Sequence, residues 1–279
     1  MKRKAICLIF SFVLMNSATV RAEFEVCGEL KQGELLLFRN VPENVESLKI
    51  EGREYPVTTK GEALVALHRD APKTLSLRDD KNKEIYKLNV EPAVWDIQKI
   101  EGVAQQKVTP NKAAEPEILR EQKDVAKALR IMIPQDDWRK GFVLPVEGRI
   151  SGNFGNQRIF NGVPKSPHSG TDIAAPAGTK VRAAGDGVVV LDGKNYFYTG
   201  NMVIVDHGQG LQTIYAHLQE SKVKLGQKVK QGDVIGLVGS TGRATGPHLH
   251  WGASLNNVRF RPHSLLNIND KKCKILGEK

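Results

Sequence analysis

Beyond its first residues the sequence has no long apolar run. Ala5 to Met15 is apolar apart from Ser11, which is short of the ~20 residues that span a bilayer. No other segment of the 279 residues is long enough, so a helical membrane protein is excluded once that run is set aside. The chain also lacks a basic block. Its 41 Lys and Arg stand against 31 Asp and Glu, scattered along the sequence with no nucleic-acid-binding motif, which excludes nucleic acid as a partner. Cysteine is scarce, with three in all.

What is there begins with an export pattern. Lys2, Arg3 and Lys4 precede the apolar run, and Val20 and Ala22 supply small residues at a cleavage position before Glu23. The pattern predicts a signal peptide over 1–22, with an uncleaved anchor as the alternative, and places the mature chain in the periplasm or cell envelope. Four basic residues and no acidic ones fall in that segment, so the formal charge drops from +10 to +6 beyond it. This mild excess suits either a plain soluble surface or attraction to an anionic envelope polymer. Cys7 leaves with the signal. Cys27 and Cys273 remain, one near each end. Export permits a disulfide between them, worth about 4–5 kcal/mol in the chain-entropy account of so long a loop. Two free thiols are the alternative.

Residues 24–92 alternate with period two. Leu75 and Leu77, then Tyr86, Leu88 and Val90, flank a turn at Asp79–Asn82, and Glu51-Gly52 marks a second turn. A small all-β accessory module is expected, restricting or guiding access to whatever follows. Its one histidine, His68, suits an ordinary surface position. Residues 93–140 suggest a linker, with 103–115 poor in large apolar residues. Ile118, Val125, Leu129 and Ile133 recur at helical spacing, so an amphipathic helix over 116–132 is expected within it, started by Pro116 and ended where Ile133 precedes Pro134. From Gly141 to Leu266, glycines punctuate Val- and Ile-rich runs, which predicts an antiparallel β domain with turns at Gly187, Gly208, Gly210, Gly226 and Gly232. The fold class is thus mainly β.

The chemistry-bearing residues lie in that last domain. His168-Ser-Gly-Thr-Asp172 brings an imidazole and a carboxylate to one turn, and both are zinc ligands. In His248-Leu249-His250, residues two apart on a strand face the same side. His217 ends an apolar strand between these motifs. Three protein ligands and a water make a catalytic zinc site, and peptide hydrolysis needs a base and an oxyanion donor besides. His207, in a glycine turn, suits a structural role, and His263, after Pro262, a surface one.

Together these motifs resemble the lysostaphin and LytM-type zinc endopeptidases. The likeness runs from Ser151 to Pro262 through SGNFG, HSGTDIAAPAGT, AAGDGVV, DHGQGLQTIYAHL and GQKVKQGDVIGLVGSTGRATGPHLHWG. It implies a LytM-type antiparallel β-sheet catalytic domain over 141–266, binding one Zn²⁺ through His168, Asp172 and His250, with His217 and His248 as catalytic histidines. It further implies that Tyr215, Asn153, Arg158 and Thr245 line the substrate groove. The implied substrate is a peptide stem or crosslink of bacterial peptidoglycan. The bond is a D,D crosslink, a glycine bridge or another short peptide, and the N-terminal module and helix favour the D,D crosslink. Envelope regulatory proteins are possible partners. Relatives lacking the ligands act as non-enzymatic activators of other wall hydrolases, which is the alternative function; here none of the five residues is missing.

Overall fold

Ten strands between Arg149 and Phe260 pair antiparallel into one sheet, in a computed structural model that describes residues 24–266 and 268–276. The expected signal peptide lies outside the described residues. Along the sheet run Lys228–Val229, Gly187–Tyr196, Gly200–Asp206, Leu211–Ser221, His248–Leu255, Gly170–Ala174 and Arg149–Gly152. Glycines earn their places where the chain turns or crowds. Gly208 and Gly210 take φ of 97° and 79° in the turn before Leu211. Gly187, expected at a turn, instead opens a strand, where a Cβ would stand 2.3 Å from the Asp206 carbonyl oxygen.

The sheet has two apolar faces. Val203, Val205, Tyr215, Leu249 and Trp251 face one buried core. Met202, Ile204, Ile214 and Ala216 face another, closed by Ala128 and Leu129. Those two residues end the helix Glu115–Ala128, which Pro116 starts as expected. The helix stops four residues earlier than its apolar spacing suggests. Ile131 and Ile133 still pack on the same cluster, but their carbonyls accept from Gln212 Nε2 and Gln209 N, which draws the chain out of helical form.

Residues 24–92 supply all four strands of one sheet and three strands of a second four-stranded sheet, whose fourth strand comes from the C-terminal end of the chain. The expected turns are present: Glu51 and Gly52 join Ser47–Ile50 to Arg53–Pro56, both at positive φ, and Asn82 sits between Thr74–Asp79 and Glu84–Asn89. One buried core, however, runs unbroken from Phe24 through Trp251 to Ile268, so packing does not pause at the expected boundary. His68 is half-buried and pairs with Glu51 at 3.2 Å.

Two segments depart from expectation. Ile97–Ile100, expected in a linker, is a strand parallel to Gln157–Phe160. Cys273–Ile275, beyond the expected domain limit of 266, pairs with Glu25–Cys27, placing Cys27 opposite Cys273, and the two are disulfide-bonded. With its two cysteines 246 positions apart in the sequence, this bond lies high in the usual range. Thiol titration under denaturing conditions should find both cysteines oxidised, and Cys27→Ser with Cys273→Ser should cost about 2–5 kcal/mol by denaturant titration. An unchanged midpoint would contradict the disulfide's role. Among the described residues no helix is long and apolar enough to cross a membrane.

Candidate active site

Sheet register assembles the site. Asp172 pairs with His250, and Ala174 with His248, so the two histidines and the carboxylate share one face. His168 stands just before the strand Gly170–Ala174, its backbone N–H held by the Asn156 carbonyl. Three side-chain atoms then converge. His168 Nε2 lies 3.0 Å from Asp172 Oδ1 and 3.0 Å from His250 Nδ1, which is 2.9 Å from the same Oδ1. All three residues are buried.

The convergence itself tests the donor set for a metal. His168 donates its Nδ1–H to the Asn153 carbonyl at 2.9 Å, so on a neutral ring Nε2 is a lone pair. That lone pair faces a carboxylate oxygen and a second imidazole nitrogen at contact distance, an arrangement a cation satisfies. Donors of a tetrahedral site with bonds of about 2.0–2.2 Å stand about 3.3–3.5 Å apart, a few tenths of an ångström from the spacing here. Two imidazoles and one carboxylate are a zinc donor set with room for a fourth ligand. Burial alone would raise the Asp172 pKa, but its contacts with the His168 and His250 imidazoles hold it well below the usual carboxylate range. Burial pushes His250 down to about 4, against the pull of Asp172. Arg158 pairs with Asp172 Oδ2 and so fixes the carboxylate from behind.

His217 reaches the site by a backbone irregularity. On an unbroken strand it would face the side of Tyr215, away from His250, whose register partner is Ala216. Between Tyr215 and Leu218 the strand holds one residue more than its partner does between Val203 and Asn201, a β-bulge, and His217 takes φ 61° there. Its ring turns to the histidine face, with centroids 4.8 Å from His248 and 5.9 Å from His250. His217 Nδ1 donates to the Thr241 carbonyl at 2.8 Å and His248 Nδ1 to the Gly246 carbonyl at 2.9 Å. Each therefore presents Nε2 as its free nitrogen. Burial, with the neighbouring His248 and His250, lowers the His217 pKa to about 3, so its ring is neutral.

The groove residues divide. Arg158 and Thr245 line a cavity beside His248, and Asn153 is exposed on a second cavity. Tyr215 does not line the groove. It is fully buried on the opposite face, its hydroxyl accepting from Ala184 N at 2.8 Å and meeting Thr213 Oγ1 at 2.9 Å, and burial pushes it up to about 12. His263 is not a surface residue either. The 3-10 turn Pro262–Leu265 lays it edge-on to Trp251, 3.4 Å from Thr171 Oγ1, in the second cavity.

Sequence reasoning missed the segment 94–103. Val94, Trp95 and Asp96 wall the cavity beside Asn153, and Gln98, Ile100 and Val103 wall the one beside His248. Gln98 bridges the site, accepting from Arg158 Nε at 3.3 Å and donating to the Ser151 carbonyl at 3.1 Å. Residues 24–92 act behind this segment: Arg69 lies over Trp95 at 5.3 Å and donates to the Gly155 carbonyl.

Residues 166–262 match peptidase family M23. This chain carries an M23 peptidase domain. Among similar proteins, the peptidoglycan DD-endopeptidase ShyA of Vibrio cholerae is 48% identical over 122 residues, 43% of this chain and 27% of ShyA. The DD-carboxypeptidase/endopeptidase Mpg of Neisseria meningitidis is 49% identical over 98 residues, 35% of this chain and 22% of Mpg. The chain thus spans about a quarter of the length of these relatives. A solved Pseudomonas aeruginosa structure described as an M23 peptidase is 29% identical, with a TM-score of 0.66. It covers 87% of this chain and 97% of its own, so that likeness extends into the N-terminal sheets. M23 peptidases use zinc, and His168, Asp172 and His250 are the donor set that fits it here.

His207, by contrast, supports the fold. It is fully buried, with Nδ1 donating to the Asp186 carbonyl at 2.6 Å and Nε2 at 2.7 Å from Thr213 Oγ1. Burial lowers its pKa to about 4, against roughly 6.5 unfolded. A depressed histidine contributes stability above its unfolded pKa and loses it as pH falls through the folded one. His207 should therefore withdraw on the order of 3 kcal/mol between about pH 6.5 and 4. An NMR titration should show its ring neutral down to about pH 4; a midpoint near 6.5 would contradict this.

Proposed function

We propose that this chain is an exported zinc metalloendopeptidase that hydrolyses the D,D peptide crosslinks of bacterial peptidoglycan in the cell envelope. One observation carries the reading: a complete His168–Asp172–His250 donor set beside two imidazoles, His217 and His248, whose free Nε2 atoms result from hydrogen bonds to backbone carbonyls. Zinc bound there supplies Lewis acidity toward a scissile carbonyl and lowers the pKa of water toward ~7. Of His217 and His248, one accepts the proton of the attacking water at Nε2 and delivers it to the leaving amine, a role worth about 10²–10⁴-fold. The other donates to the carbonyl oxygen as charge develops when its ring carries a second proton, at Nε2 in addition to the Nδ1–H held by its backbone carbonyl, a role worth about 10²–10³-fold. Arg158 holds the Asp172 carboxylate in place meanwhile, and Gln98 in turn accepts from Arg158 Nε.

The names of ShyA and Mpg support the D,D bond and the wall substrate. Export to the periplasm has separate support in the Cys27–Cys273 disulfide, which suits an oxidising compartment. The segment 94–103, backed by residues 24–92, flanks both cavities and is placed to restrict which peptides enter, or to receive an envelope regulatory protein. Mass spectrometry of fragments released from defined peptidoglycans tests the function. The expected products are separated peptide stems on intact glycan. Zinc-loaded protein that releases no fragment would favour a non-enzymatic regulator built on the same fold.

A further inference from the structure

The cavity beside His248 holds two guanidinium groups in different circumstances. It measures about 130 Å³, room for a carboxylate-sized group, and its wall includes Gln98, Arg158, Asp172, Arg243, Thr245 and His248. Arg158 is neutralised by Asp172. Arg243 has no such partner: among the described residues no carboxylate pairs with it. Its guanidinium is instead clamped between two rings, 4.6 Å from the centre of Phe160 and 4.4 Å from that of Tyr198, and its backbone N–H is tied to the Tyr198 carbonyl at 2.9 Å. The side chain is thus oriented and half-buried without a counter-charge. Burial works against its positive form, and so does the Arg158 charge. The one carboxylate on the wall, Asp172, spends Oδ2 on Arg158 and Oδ1 on the two ligand histidines. A held, unpaired guanidinium facing a small cavity fits a planar anion, which it can meet with two parallel N–H donors.

We propose that Arg243 forms a carboxylate subsite beside His248, binding a free carboxylate of the peptide substrate next to the scissile bond. The inference rests on the endopeptidase reading above. The carboxylate is either the α-carboxylate of a terminal residue or a side-chain carboxylate of a crosslinking residue, and both offer the same planar anion.

Three synthetic crosslinked peptides of one sequence separate these sources: one with both carboxylates free, one with the terminal carboxylate amidated, and one with the side-chain carboxylate amidated. For the zinc-loaded wild type, amidation at one of the two positions should lower kcat/KM by about 10–100-fold, the weight of one charge-assisted hydrogen-bonded pair, and so identify the source. In Arg243→Gln that acid-to-amide ratio should fall to within about threefold of one, and Arg243→Lys should keep part of it. Zinc content measured beside each rate shows that the variants are folded. Equal cleavage of all three peptides by wild type, or a wild-type ratio in Arg243→Gln, overturns the subsite and leaves the endopeptidase reading intact. A wild type that cleaves none of the three peptides and no purified sacculi overturns the endopeptidase reading, and the subsite with it.

Discussion

His217→Ala should keep its zinc and lose turnover, whereas His250→Ala should lose both. His217 touches no ligand atom through Nε2; its Nδ1 is spent on the Thr241 carbonyl, and its removal leaves His168, Asp172 and His250 in register. Turnover should still fall by at least ~10², the usual cost of removing one acid–base or oxyanion group. His250→Ala leaves two protein ligands, fewer than catalytic zinc sites use. His248→Ala should follow His217→Ala although it lies two residues from a ligand, because its Nε2 is 3.8 Å from Asp172 Oδ1, outside the 2.9–3.0 Å triangle. Metal analysis beside peptide release from sacculi reads both quantities. Zinc loss in His217→Ala as complete as in His250→Ala would show the division between ligands and catalytic groups to be wrong.

A single methyl group should have an effect of similar reach at Gly170. A Cβ there would stand 2.5 Å from the Trp251 carbonyl oxygen and 2.8 Å from the His250 ring. The first contact is backbone on the neighbouring strand and cannot swing aside. Relief requires that the pairing of Gly170 with Gly252 open, and the same ladder sets Asp172 opposite His250 two residues on. Gly170→Ala should therefore weaken zinc binding by at least about tenfold, a displacement on the scale of losing a supporting contact to a ligand, and destabilise the fold by about 1–3 kcal/mol. A zinc-chelator competition assay and a denaturation midpoint measure the two effects. Wild-type zinc affinity in this variant would mean that the site tolerates a shift of the His250 strand.

These two cases also show where sequence was sufficient. His168 with Asp172, and His248 with His250, are local spacings, and the strand and turn that realise them need only nearby residues. Gly170, read for its turn, is needed for close approach to His250, which only the paired strands reveal. Tyr215 was misjudged for a definite reason. Strict alternation puts it on the same side as His217, and the bulge that sends His217 to the other face leaves no periodic trace. The strand Ile97–Ile100 was hidden because its partner lies sixty residues away and four residues carry little pattern of their own. The same holds for Cys273, whose strand exists only through Glu25–Cys27. His263 was placed at the surface because nothing local shows that its turn folds back on Trp251.

The central claim is that one zinc, held by His168, Asp172 and His250, supports peptide cleavage in the wall. Re-titration of metal-stripped protein with zinc, followed by the rate of peptide release from purified sacculi, tests it most directly. The rate should rise from near zero and level off at one equivalent of zinc per chain. Full activity without zinc, or activity that climbs until a second equivalent is bound, would contradict it.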